Sequence, residues 1–263
     1  MIGSIEIIGS REKAVAIIGL PKGWKGDLEE IAKEVMKRHK NVRSVLVRAS
    51  GREGEYRIRK YKLIMGDENT EVIHKEHGYR IKVDPVKAYF SAREGDERQR
   101  VAKQVKPHER VLVMFAGVGP YCIAIAKKQP LVEVVVGVEK NPDAYRYFIE
   151  NIRLNKLERK VKAYLGDVRE VCPKMRNEFN RVVMPLPLGA ELFVDLAVDT
   201  LKEEGGIINI YGWGPERDPF GRLEERVREE IERKGRKCEI LGRRIVSSYA
   251  PRIYKVRLDV LIG

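Results

Sequence analysis

The sequence is poor in cysteine and has no long apolar run. Its three cysteines, Cys122, Cys172 and Cys238, are scattered through 263 residues. No Cys-x-x-Cys pair exists, so neither a disulfide framework nor a zinc–thiolate site is expected. Three small buried thiols are. No stretch approaches the roughly 18–20 apolar residues needed to cross a bilayer, and the mean hydropathy is -0.39. The start, "MIGSIEIIGSREK", lacks the basic n-region and apolar h-region of a signal peptide. These absences predict a cytoplasmic protein with no membrane association. Acidic residues are in deficit: 39 Asp and Glu stand against 52 Lys and Arg, a net charge of +13. A merely charge-rich surface raises both signs together, so the imbalance points to a polyanionic partner, most simply nucleic acid. His74 and His77 in "HKEH" would be neighbours on a helix, but no further ligand accompanies them, and no metal is expected.

Hydrophobic residues make up 43% of the chain, enough for a sizeable core. No internal repeat is visible. In the first third, "SIEIIG" and "AVAIIG" read as strands. "DLEEIAKEVMKRH" reads as a helix capped by Asp27, with Leu28, Ile31, Val35 and Met36 on one face. "SVLVRAS", "EYRIRKYKLIMG" and "TEVIHKEHGYRIKV" read as further strands separated by turns. Residues 1–83 are therefore expected to form a small α+β domain. Its basic run, Arg48, Arg52, Arg57, Arg59, Lys60 and Lys62 with Tyr56 and Tyr61 interleaved, is suited to phosphates and stacked bases. Alternation alone would also give such a run on the solvated face of a sheet.

From residue 107 strands and helices alternate. "ERVLVMF", "LVEVVVGVE", "KVKAYLGD", "RVVMPLP" and "GGIINIYGW" are strands. "YCIAIAKK", "NPDAYRYFIENIRLN" and "AELFVDLAVDTL" are helices, and a later helix carries Phe220, Leu223, Val227 and Ile231 on one face. "KCEILGRRIVSSYA" and "RIYKVRLDVLI" have no helix between them and should pair as a hairpin. Five alternating units and a terminal hairpin predict an α/β, Rossmann-like sheet of seven strands, mostly parallel, over residues 84–263. This is the layout of class I AdoMet-dependent methyltransferases.

Ligands bind such sheets beyond the carboxyl ends of the strands. "FAGVGPYCIAIA" follows the first strand, and Gly117 and Gly119 allow a tight turn and close approach to a ligand. The full Gly-x-Gly-x-x-Gly fingerprint would need glycine at Cys122, which argues against a dinucleotide. Glu139 ends the second strand, where an ionised carboxylate can accept from both hydroxyls of a ribose. Asp167 ends the third, placed for an adenine amino group, with the Val168 N–H toward a ring nitrogen. Either acid alone could be a helix cap; glycine loop, acid and acid at three successive strand ends point to S-adenosylmethionine (AdoMet). The fourth strand stops at Pro185 and Pro187, which cannot donate to a ladder and so form the floor of the crevice.

The segments "DPVKAYFSAREGDER", "FAGVGPYCIAIA", "VEKNPDAYRYFIENIRLNK", "GDVREV" and "RVVMPLPLGAELFVDLA" resemble the archaeal family that modifies the guanosine beside the tRNA anticodon. It comprises tRNA guanine-N1 methyltransferases and their relatives in wyosine synthesis. The resemblance runs from about residue 84 to the end; residues 1–83 match the small second domain of those proteins less clearly. The further N-terminal domain of many of the methyltransferases is expected to be absent. The resemblance implies that Glu139 holds the ribose, Asp167 and Val168 the adenine, and Ser91 and Arg98 the methionine tail, with Phe115, Gly117 and Gly119 lining the cofactor. It also implies that Arg93 meets tRNA, joining Arg57, Arg59 and Lys62. For Arg98 an ion pair with Glu94 or Glu97 is the alternative. In the methyltransferases the fourth strand typically ends Asn-Leu-Pro, whereas Pro185 stands here in place of the asparagine. That departure implies the wyosine branch: transfer of the 3-amino-3-carboxypropyl group of AdoMet to C7 of 4-demethylwyosine in tRNA(Phe), releasing methylthioadenosine. No general base is assigned. The alternatives are guanine-N1 methylation of tRNA, a non-catalytic RNA-binding subunit, and a small-molecule methyltransferase that would leave the charge unexplained.

Overall fold

The structure, a computed structural model, describes residues 3–21, 23–53, 58–186 and 188–263, with backbone alone for 50–53 and 58. Its first layer is a four-stranded sheet. Strands β1 (Ser4–Gly9) and β2 (Ala14–Gly19) pair antiparallel. Helix α1 (Leu28–Arg38) then crosses over to β3 (Val42–Glu53), which lies parallel to β2, and β4 (Ile58–Gly66) returns antiparallel. Asp27 caps α1 by accepting from the Glu29 and Glu30 N–H groups. One face of this sheet packs on α1 through Ala16, Ile18, Val45 and Val47. The other, with Ile8, Val15, Ile17 and Leu46, joins the core of the following layer.

A hairpin links the two. β5 (Val72–Glu76) and β6 (Tyr79–Val83) pair in register, turning at His77 and Gly78, both with positive φ. His74 and His77 therefore sit on a strand and its turn, not on one helix. The His74 ring faces Glu76 and Gly9. Among the described residues no group of three metal-ligating side chains gathers anywhere.

The large sheet uses β7 (Arg110–Met114), β8 (Val134–Glu139), β9 (Val161–Leu165), β10 (Arg181–Met184), β11 (Gly206–Pro215), β12 (Cys238–Ala250) and β13 (Ile253–Ile262). Its order is β12-β13-β11-β10-β7-β8-β9. The first five run parallel, and β13 lies antiparallel between β11 and β12. The expected seven-stranded sheet with its C-terminal hairpin is what forms. The helices are α2 (Gly95–Ala102), which precedes the sheet, α3 (Pro120–Lys128), α4 (Pro142–Leu154), the four-residue α5 (Val168–Val171), α6 (Val194–Thr200) and α7 (Gly221–Arg233). Helix α4 braces the hairpin: the Asn151 and Asn155 side chains bond the backbone of Lys82 and Arg80, as a third strand would. The three cysteines are free, and burial pushes the Cys172 thiol up to about 12.

The chain order reverses between β7 and β10, so the loops leaving these neighbours diverge and open a crevice. The glycine loop closes one side of it. Gly117 and Gly119 both have positive φ, 58° and 83°, yet they do different work. A Cβ on Gly117 would meet nothing nearer than 3.9 Å, whereas one on Gly119 would lie 2.0 Å from the Phe148 ring. Gly119 therefore makes room for α4, and Gly117 leaves space toward the crevice. Gly119→Ala is expected to cost about 2–5 kcal/mol of stability by overpacking and left-handed strain. Gly117→Ala should cost about 1–2 kcal/mol and weaken cofactor binding more. Urea midpoints and calorimetric titration on both variants check the contrast.

Candidate active site at the strand ends

The crevice has a volume of about 730 Å³ and is walled by the loops after β7, β8, β9 and β10. That lies within the usual range for small-molecule sites, roughly 300–1,000 Å³. Phe115, Gly117, Glu139, Asp167, Val168 and Pro185 all line it, so most of the sequence-predicted site is brought together. Pro187 lies outside the described residues. Register explains the convergence: Met114 pairs with Val138 and Glu139 with Leu165, so the residues just past each strand end reach the same level.

Glu139 organises the β7–β8 side. One carboxylate oxygen accepts from the Gly117 N–H at 2.7 Å and the other from the Asn141 N–H at 2.7 Å. A carboxylate offers about four acceptor positions, so two remain for a diol. Burial raises its pKa above the ordinary 4.5 despite these backbone bonds. Asp167 caps α5, accepting from the Arg169 N–H at 2.8 Å, and pairs with the Lys140 ammonium at 2.8 Å. Burial pushes its pKa up, but Lys140 and the Arg169 N–H outweigh it and the net shift is downward. Both acids are anchored and keep lone pairs for a ligand.

The apolar wall is aromatic. Phe115, with φ of 57°, meets Phe193 edge-on at 5.0 Å, and the Arg169 guanidinium lies 4.1 Å over the Phe193 ring. At the mouth, Tyr89, Leu188 and Leu192 are exposed at 44%, 56% and 69%. An apolar, solvent-facing rim of this kind is suited to a stacked base. Sequence reasoning missed Lys140, Arg169, Glu191, Leu192 and Phe193. The only signal available was that they follow strand ends already assigned to the site.

Ser91 and Arg98 are not on the crevice wall. The Ser91 hydroxyl donates to Glu6 at 2.7 Å. Arg98, 1% exposed on α2, makes a two-pronged pair with Glu76 at 2.8 and 2.6 Å, donates to the Ser91 carbonyl, and stacks over Phe90. The charge-assisted grip expected on a cofactor carboxylate is made on Glu76, and the alternative partners Glu94 and Glu97 bind Lys255 and Arg257 instead. Of the expected RNA contacts, Arg57 lies outside the described residues. Arg59 and Lys62 point to opposite faces of β4, because they are an odd number of positions apart on a strand. Arg93 donates to the Ile5 carbonyl at 2.8 Å.

Comparison with known proteins bears on what this crevice is for. The description "TRM5/TYW2 methyltransferase domain" matches residues 72–241. The chain belongs to that family. It is 43% identical over 260 residues to tRNA (guanine(37)-N(1))-methyltransferase Trm5b of Pyrococcus abyssi, covering 99% of this chain and 75% of that one. It is 34% identical over 232 residues to the tRNA(Phe) (4-demethylwyosine(37)-C(7)) aminocarboxypropyltransferase of Methanocaldococcus jannaschii, covering 88% and 90%. The crystal structure of Trm5b from Pyrococcus abyssi superposes with a TM-score of 0.87 at 41% identity, covering 99% of this chain and 75% of that one. P. horikoshii TYW2 in complex with MeSAdo superposes at 0.82 with 28% identity, covering 100% and 91%. Among the described residues no helix is long and apolar enough to cross a membrane.

Proposed function

We propose that the chain is an AdoMet-dependent tRNA transferase that methylates N1 of guanosine 37, beside the anticodon. What carries the reading is the pairing of two observations. The crevice gathers two carboxylates suited to a diol and an amine, Glu139 and Asp167, and an aromatic wall beyond the carboxyl ends of the central strands. The chain enclosing it follows Trm5b along 99% of its length. The residues fit the cofactor: Gly117 leaves open space beside Glu139, and both acids keep acceptor capacity. AdoMet supplies a methyl group on a sulfonium, whose thioether leaves uncharged and asks little of acid catalysis. Glu139 takes the ribose hydroxyls, Asp167 the adenine amino group, and the Val168 N–H a ring nitrogen. Phe115 and Phe193 exclude water from the sugar and base. Pro185 and Leu186 line the floor against which an incoming purine would stop; as the N1–carbon bond forms and the carbon–sulfur bond breaks, the N1 proton would pass to water at the open mouth of the crevice. The net charge of +13 draws the polyanionic substrate.

A second reading, 3-amino-3-carboxypropyl transfer to 4-demethylwyosine, is favoured by Pro185. A proline offers no side-chain amide or carbonyl to a guanine edge, and in this reading the nucleophile is a ring carbon, C7, which would attack the γ-carbon of the methionine chain and lose its proton to water as methylthioadenosine leaves. The two readings differ in what leaves. With AdoMet labelled either in the methyl or in the carboxypropyl carbons, we expect methyl label to enter a tRNA transcript carrying guanosine 37, with S-adenosylhomocysteine released. Carboxypropyl label in tRNA bearing 4-demethylwyosine, with methylthioadenosine released, would select the second reading.

A further inference from the structure

We propose that Arg48, Arg59 and Arg93 form a docking site for one phosphate group of the substrate RNA. This rests on tRNA being the substrate and adds where, outside the crevice, its backbone is held.

The three arginines come from two parts of the chain. Strand alternation puts Arg48 on the face of β3 shared with Leu46, and Arg59 on the face of β4 shared with Tyr61 and Leu63; these neighbours pack toward the large-sheet core. Arg48 pairs with Tyr61 in register, two residues from Arg59. Arg93 approaches from the segment before α2 and is tied to β1 through the Ile5 carbonyl. Lys60 and Lys62 fall on the opposite face, with Ile64 toward α1, so the basic run divides and only part of it joins this cluster.

Among the described residues, the cluster's ion-pair partner is a single acid, Glu6, which lies 3.3 Å from the Arg48 guanidinium. The other Glu6 oxygen already accepts from the Ser91 hydroxyl at 2.7 Å and the Ala92 N–H at 3.0 Å. Among the described residues, Arg48 alone of the three arginines reaches this carboxylate, and the fields of Arg59 and Arg93 act on Arg48 beside it. Among the described residues, the Nε atoms of Arg48 and Arg59 are buried without a hydrogen-bond partner. Burial and the fields of Arg59 and Arg93 weaken the hold of Arg48 on its proton, against the pull of Glu6 and Tyr61. Buried donors are rarely left unmet, and guanidinium forks match phosphate oxygens two at a time. Arg93 stands four residues from Tyr89 on the crevice rim, at most about 14 Å along the chain. A phosphate seated here therefore belongs to the same RNA loop as the base in the crevice.

The test uses Arg59→Gln and Arg93→Gln, singly and together, in the full chain. Binding of tRNA is measured between 50 and 200 mM salt. We expect affinity to fall about tenfold per substitution, and the slope of log affinity against log salt to shrink by about 0.7–0.9 when the phosphate contact is lost. AdoMet affinity should be unchanged. Because the partly buried Arg48 bears on folding, Glu6→Gln supplies an independent variant. It keeps an acceptor for Ser91 and Ala92 and removes the opposing charge, so tRNA should bind several-fold tighter, which a merely structural cluster would not produce. Unchanged tRNA affinity and salt slope in folded variants would overturn the proposal. So would stabilisation of the wild-type protein by inorganic phosphate through these arginines without any effect of the substitutions on tRNA, because the site would then serve a free anion. If the wild-type chain binds tRNA with this dependence but transfers no group to it, the proposed activity fails and the docking site stands.

Discussion

Glu139→Ala is expected to weaken AdoMet binding by about 100-fold or more, with the fold retained. The carboxylate stands to lose two hydrogen bonds from a ribose diol, and bonds to a charged acceptor contribute about 1.5–3 kcal/mol each. It also fixes the glycine loop, since its oxygens bind the Gly117 and Asn141 N–H groups. Removing it frees the loop at the point where the cofactor enters. The fold tolerates the loss because Glu139 is a strained anion: burial raises its pKa above 4.5, so its ionisation costs stability rather than adding it. With the folded value raised, the native state holds the extra proton just above pH 4.5, and stability falls as pH rises through that window. Binding has the opposite sign. The ionised form accepts both hydroxyls, so AdoMet affinity should drop on acidification at a pH above that of an ordinary carboxylate. Asp167, whose pKa is lowered, stays charged throughout. Calorimetric titration across pH with wild type and Glu139→Ala checks both statements; equal affinity in the two proteins would remove Glu139 from the site.

Arg98→Met is expected to cost about 3–5 kcal/mol of stability, the range for breaking a buried ion pair by removing one partner. Arg98 and Glu76 are 2% and 7% exposed at their side chains. Burial alone would raise the Glu76 carboxyl, but bonds from His74, Arg98 and Tyr79 hold it at about 2 instead of 4.5. With the folded value depressed, this contribution is present above pH 4.5 and is lost as pH falls toward 2. The variant should therefore unfold in acid at a higher pH than wild type. Pairing Arg98→Met with Glu76→Leu should recover part of the loss, because an apolar pair leaves no buried charge unmatched. Urea midpoints for the four proteins of that cycle measure the coupling. AdoMet affinity of folded Arg98→Met should change less than tenfold; a larger drop would mean that Arg98 reaches the cofactor tail as well as Glu76.

These two residues mark what was legible in the sequence. Glu139 could be read because a strand of apolar residues must end somewhere, and an acid at that end faces the crevice by topology alone. Asp167 and the hairpin of β12 and β13 were legible for the same reason: period and punctuation fix strand ends and neighbours. The pairing of Arg98 with Glu76 was not legible because the two lie 22 residues apart on different elements, and periodicity carries no information about which charges meet. Gly119 also makes room for Phe148, a contact between elements that spacing does not signal. Helix α2 was missed because "GDERQRVA" is mostly polar and buries its charges in ion pairs.

The measurement that tests the account most directly is a crystal structure of the chain grown with AdoMet. The account predicts nucleoside density in the crevice between β7 and β10, with both ribose hydroxyls on Glu139, the adenine amino group on Asp167 and the methyl directed toward Pro185. An empty crevice at saturating AdoMet, or density elsewhere on the protein, would contradict it.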